Sequence, residues 1–273
     1  MTAWTAFASV AGVVTVLLLA LSHATSQRFD GPSADDSVDA VGERVDAVGE
    51  HVDAVGECED VADDSVAEGG EMGEVPRLSQ PLLLLNVALS QGAFGVVLVV
   101  AAVLASVPRT ALGVADQHFS VLAVVLGVAF GTVLYAANEV GGSVADAYGF
   151  GRGDELRELL APASRTGWVI LLGGVLPVVA TFEELLFRGV LVGAFAAGAG
   201  VSPWLLVVPA SILFGLGHGT QGRMGVVVTT ALGAVLAAAF VVTGSLLVVV
   251  VAHYLVNALE FVVHEHELGH ASG

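Results

Sequence analysis

The sequence predicts an all-α fold, a polytopic bundle of about seven transmembrane helices with a long acidic loop, and three observations carry that expectation. Of the 273 residues, 55% are hydrophobic and only 13% charged, with a mean hydropathy of +0.84, outside the usual soluble range. The apolar residues gather in runs of roughly 20, the length that crosses about 30 Å of hydrocarbon. Nearly all of the charge is kept out of those runs. Sixteen of the twenty-seven acids lie between Asp30 and Glu74 with a single base, Arg44, so this stretch carries -15 of a formal net charge of -18.

The apolar runs extend approximately from Ala3 to Ser22, Pro81 to Val107, Phe119 to Ala137, Gly167 to Ala197, Pro203 to Gly217, Met224 to Val242 and Ser245 to Val263. The first lacks a basic n-region and a small-x-small cleavage site, so it is expected to be an uncleaved anchor over residues 1–23. The fourth is longer than one crossing needs and holds Pro177, which predicts a kink or break there. With seven crossings, the loops after spans one, three and five hold Arg28, Arg44, Arg77, Arg152, Arg157, Arg165 and Arg223, and the opposite side holds Arg109. Arginine-rich loops stay cytoplasmic, which places the N-terminus outside and the C-terminus inside.

Residues 24–79 form a low-complexity linker with three near-identical heptads, Val38 to Arg44, Val45 to His51 and Val52 to Cys58, each reading Val-Asp-Ala-Val-Gly-Glu-x. The valines mimic a coiled-coil seam, but each heptad carries a glycine that costs a helix about 1 kcal/mol. A solvated loop without chemistry is the expectation. All nine bases are arginine. A lysine-free, acid-rich surface suits a high-salt cytoplasm, where self-repulsion is screened, and so points to a halophilic, archaeal source. The acidic balance gives no surface for nucleic acid, and the one cysteine, Cys58, leaves neither an internal disulfide nor a cysteine metal cluster.

Ionisable side chains inside a bilayer cost about 2.5 to 3.5 kcal/mol each at a helix centre, so each asks for a reason. They concentrate in three spans of the bundle, residues 80–263. The fourth holds Phe182-Glu183-Glu184-Leu185-Leu186-Phe187-Arg188, the fifth ends Phe214-Gly215-Leu216-Gly217-His218, and the seventh holds His253-Tyr254-Leu255-Val256-Asn257. Glu184 and Arg188 stand one helical turn apart and can pair. Glu183 points about 100° away, so the same arginine cannot serve both carboxylates equally. A desolvated carboxylate without a counter-ion of its own can take a proton from water, as a general base must. His253 and Asn257 project together, and His218 comes from another span. Such groups supply a base, an imidazole and donors for a developing oxyanion.

In this order and on separate hydrophobic segments, Glu183-Glu184-x-x-x-Arg188, Phe214-x-x-x-His218 and His253-x-x-x-Asn257 resemble the three motifs of the CAAX-protease and bacteriocin-processing family of intramembrane proteases (CPBP, also called ABI), which includes the type II CAAX prenyl proteases. The resemblance covers roughly Gly167 to Val263 and leaves out the N-terminal part. It implies a polytopic endopeptidase whose site faces a water-filled cavity open to the cytoplasm, acting on a membrane-associated protein or peptide, of which a prenylated one is the family expectation. It also implies roles. Glu183 activates the hydrolytic water with His218, while His253 and Asn257 stabilise the oxyanion; Glu184, Arg188 and Phe214 support the site. On this reading no cofactor is required. On a metal-dependent reading of the family, His218 and His253 are the natural zinc ligands, and the sequence leaves the two mechanisms open.

Other functions fit parts of the pattern. A proton-coupled transporter would use Glu183, Glu184 and the histidines as a relay, and a non-catalytic scaffold would use Glu184 with Arg188 as an ion pair and His253 with Asn257 as interhelical glue. The absence of an inverted repeat and the confinement of polar groups to three spans count against transport. The tail 264–273 contains His266-Glu267-Leu268-Gly269-His270, a literal H-E-x-x-H. No third ligand follows it and a chain terminus holds geometry poorly, so adventitious metal binding or a plain solvated tail is expected. The stretch from Gly151 to Arg165 reads as a short amphipathic helix on the cytoplasmic surface.

Overall fold

The computed structural model describes residues 2–29, 80–147, 157 and 160–268, and every regular element among them is helical. The heptads, residues 151–156 and 158–159 of the Gly151 to Arg165 stretch, and Gly269 and His270 of the H-E-x-x-H string lie outside the described residues. Helices run over Trp4–Phe29 (α1), Gln80–Leu104 (α2), Val121–Ala147 (α3), Arg165–Ala199 (α4), Trp204–Leu216 (α5), Gly222–Thr243 (α6) and Leu246–Leu268 (α7). They belong to one compact unit; residues 27–77 form a second, described only in the last turn of α1.

Six of these helices are long and apolar enough to cross a membrane. The fifth expected span is the exception. The run from Pro203 to Gly217 makes the 13-residue α5, which rises only about 20 Å. Valines and leucines such as Leu104, Val121, Val103 and Leu205 stand exposed on the outer faces, an apolar surface that only lipid would cover.

Helix α4 opens at Ser164, whose side chain accepts a hydrogen bond from the Gly167 amide at 3.1 Å. Its path is not broken at Pro177. Instead Leu171–Val175 winds as a π-helix and the α-helix resumes at Leu176, with Pro177 in its first turn. Proline has no N–H to give to the preceding turn, and a one-residue widening just before it absorbs the mismatch without a break. Tyr254 on α7 donates its hydroxyl to the Leu172 carbonyl within the widened stretch at 3.1 Å.

The interior centres on α4 and α7, the most buried of the long helices. Phe182, Leu186, Phe187 and Val190 of α4 pack with Phe214 of α5, Leu236 of α6 and Val249 of α7. Phe7, Ala11 and Val14 of α1 join the same core, so the N-terminal helix is part of the bundle. The extensive contact of α3 with α7 depends on two glycines one turn apart. A Cβ at Gly127 would stand 2.7 Å from Val251, and one at Gly131 would stand 2.8 Å from the Ala252 carbonyl. Small residues let backbones approach where lipid supplies no hydrophobic drive for association.

Candidate active site

Glu183, Glu184, Arg188, His218 and His253, contributed by α4, the end of α5 and α7, meet inside this core, and Asn257 shares no hydrogen bond with them. Glu183 and Glu184 end the α-helical stretch Leu176–Glu184 of α4, and Arg188 lies in the following π-helical stretch Leu185–Ala194. His218 sits two residues past the end of α5, where Gly217 and His218 tighten the chain with amide bonds to Leu213 and Gly215. His253 is on α7.

Arg188 serves Glu184. Its Nη1 donates to Glu184 Oε1 at 2.8 Å, its Nη2 donates to the Gly233 carbonyl on α6 at 3.1 Å, and its Cζ lies 4.2 Å from the centroid of the Phe214 ring. Both partners of the ion pair are essentially inaccessible, Glu184 at 0% and Arg188 at 1%. A buried pair survives desolvation only when its remaining donors are also satisfied, and the carbonyl and the aromatic face supply that. Gly233 is required for it: a Cβ there would stand 2.9 Å from Phe214 Cδ1 and 3.5 Å from Arg188 Nη2.

Glu184 has a second partner, His253, whose Nδ1 is 2.8 Å from the same Oε1. His218 is held in the same way, its Nδ1 2.9 Å from the Phe214 carbonyl. A carbonyl only accepts, so His218 Nδ1 carries the proton, and the carboxylate asks the same of His253. Each ring therefore turns its Nε2 elsewhere, and both turn it to one atom. Glu183 Oε2 lies 3.8 Å from His218 Nε2 and 3.7 Å from His253 Nε2. That oxygen is buried and has no hydrogen-bond partner of its own. Phe214 floors the group, with its ring 4.7 Å from the His218 ring and 5.8 Å from the His253 ring, and stacks edge-on against Phe187 at 5.1 Å.

Two imidazole nitrogens face one buried, unpartnered carboxylate oxygen at under 4 Å, a spacing that a water hydrogen-bonded to all three would bridge. Such a water would lie against a group able to take its proton. Asn257, half-buried and one turn beyond His253 on α7, makes no side-chain hydrogen bond to a described residue. One carboxylate and two imidazoles are also a donor set that zinc accepts. Among the described residues, however, the donors that all lie within 4.8 Å of one another belong to a different group, Glu139, Glu260 and His264. A groove of about 340 Å³ lined by Thr110, Gly193, Phe240 and Gly244 shares no residue with the site.

Sequence reasoning missed three things here. It missed Gly233, whose only signal is being one glycine among 34. It missed the π-helical turns on either side of Glu183 and Glu184, which no residue pattern announces. It also missed Glu139, Glu260 and His264, although Glu260 and His264 continue the spacing of His253 and Asn257 along α7.

No curated protein and no solved structure matches the chain. A family model does: residues 165–259, which run from the first turn of α4 to two residues beyond Asn257, match the family described as Type II CAAX prenyl endopeptidase Rce1-like. The segment that carries every residue of this site is therefore similar to the Rce1-like type II CAAX prenyl endopeptidase family over about a third of the chain, within a multi-pass helical bundle.

Proposed function

We propose that the protein is an intramembrane endopeptidase that hydrolyses peptide bonds of membrane-associated substrates with a water activated by Glu183. The observation that carries this reading is the buried, unpartnered Oε2 of Glu183 faced by Nε2 of both His218 and His253. Glu183 takes a proton from the water as its oxygen attacks the scissile carbonyl, and His218 positions that water. His253, oriented by the carboxylate of Glu184, and Asn257, through its amide, stabilise the oxyanion. The proton on Glu183 then passes to the leaving amine. A prenylated CAAX-type substrate is the one the family description suggests.

If the enzyme is metal-dependent, His218 and His253 with Glu183 would hold zinc, which would polarise the water and the carbonyl. The wide spacing of these donors favours the metal-free form. With the short α5 counted as a seventh crossing, the arginine-rich loops favour an outside N-terminus and a cytoplasmic C-terminus in the cell membrane, with the site reached from the cytoplasm.

The test is cleavage of a quenched membrane-peptide library, prenylated and unprenylated, by protein in lipid nanodiscs at high salt, with and without a chelator. Cleavage lost in Glu183→Gln and untouched by chelator is the expected result. Absence of cleavage by the wild type, or full activity in Glu183→Gln, would sink the proposal.

A further inference from the structure

Beyond the site of Glu183, the structure holds a second polar group. His264 Nε2 lies 2.8 Å from Glu139 Oε1 and 3.8 Å from Glu260 Oε2, so a residue of α3 meets two of α7. The second oxygen of Glu260 accepts from Asn138 Nδ2, and Arg157 Nη1 approaches Oε2 at 3.4 Å. All three acid and imidazole side chains are partly shielded, with 18 to 29% exposure.

We propose that Glu139, Glu260 and His264 form a binding site for a divalent transition-metal ion, zinc in the first instance. Their ligand atoms lie within 4.8 Å of one another. Glu260 and His264 are four residues apart on one helix, which presents both ligands on the same face, and Glu139 closes the site from the neighbouring helix. Two carboxylate oxygens and one imidazole nitrogen make a mixed set that zinc accepts with water in its fourth position. Asn138 and Arg157 orient the Glu260 carboxylate before an ion arrives, as outer partners of metal ligands do. Arg157 also offsets part of the repulsion between the two glutamates in the metal-free protein. The ion replaces the proton shared between His264 and Glu139 and ties α3 to α7.

The position of this site gives the proposal a consequence. His253, Asn257, Glu260 and His264 follow spacings of four, three and four, a single stripe along α7. His264 stands about 16 Å of helix rise beyond His253. Metal held there is outside the reacting group, so zinc found on the chain is not evidence of metal at Glu183, and its removal leaves the groups around Glu183 in place.

The experiment is zinc stoichiometry and isothermal titration with zinc chloride on the full chain in nanodiscs, read without reference to proteolysis. Wild type is expected to take up one tight zinc per chain. Glu260→Gln and His264→Ala should weaken it about 100-fold, while Glu183→Gln and the tail double variant His266→Ala/His270→Ala keep wild-type affinity. Glu139→Gln preserves the hydrogen bond to His264 and guards against loss through misfolding: it should bind zinc weakly while melting as the wild type does in zinc-free buffer. No zinc on the wild type, wild-type affinity in the cluster variants, or loss confined to the tail or to Glu183→Gln would each overturn the proposal.

Discussion

Glu184 on α4 and His253 on α7, 69 residues apart in sequence, share a 2.8 Å contact between Oε1 and Nδ1, and that contact decides which nitrogen of His253 faces Glu183. Replacing Glu184 by glutamine keeps the volume and removes the negative charge that holds the ring in place. Cleavage by Glu184→Gln is expected to fall about 10- to 100-fold in kcat with little change in KM. Steady-state kinetics on one quenched peptide check this; a change confined to KM would show that Glu184 acts on substrate binding instead.

Glu183 predicts the opposite balance of activity and stability. Its buried Oε2 has no hydrogen-bond partner, and an unpaired buried carboxylate is a cost that the fold carries. Glu183→Gln should therefore lower the cleavage rate by at least about 100-fold while leaving Tm in detergent unchanged or raised. A large fall in Tm would mean that Glu183 has a structural role its contacts do not show.

Arg188 is expected to behave differently from Glu183, although both are charged and buried on α4. Arg188→Met strands Glu184 without its cation, and the loss should be about 3 to 5 kcal/mol of stability. Arg188→Lys restores the charge but cannot reach Glu184 and the Gly233 carbonyl with one fork, so rescue should be partial. Denaturant unfolding in mixed micelles measures both; full rescue by lysine would show that charge alone matters.

Gly233 offers a test away from every charged group. The methyl of Gly233→Ala would stand 2.9 Å from Phe214 Cδ1, which floors both histidines, so the ring or α6 must move. A cost of about 1 to 3 kcal/mol is expected, with lower kcat. An alanine protein that melts and cleaves as the wild type would show that α6 yields freely.

Much of this was legible before the structure, for a physical reason. Bilayers demand long apolar runs, so the helices announce themselves, and each intramembrane charge stands out against that background; Glu183, Glu184, Arg188, His218 and His253 were found that way. The pairing of Arg188 with Glu184 rather than Glu183 also follows from helical geometry. What stayed hidden depends on tertiary context. Pro177 reads as a break because the π-helical turn that absorbs it leaves no compositional trace. Glu139 and Glu260 draw no reading from the sequence because their meeting depends on the packing of α3 against α7, where Gly127 and Gly131 allow close approach. The shortness of α5 was on the page as a 15-residue run, but run lengths near the limit do not say whether a helix fills them.

That shortness has an effect beyond the chain itself. At 13 residues α5 falls about 10 Å short of the hydrocarbon thickness its neighbours match, and His218 sits at its end. Lipids beside a helix too short for the membrane thin locally or draw their headgroups inward. The bilayer next to His218 would then be shallower than elsewhere around the protein. On the proposed function, a peptide backbone, which pure hydrocarbon would repel, would meet Glu183 at a dimple in the membrane and need not cross its full depth.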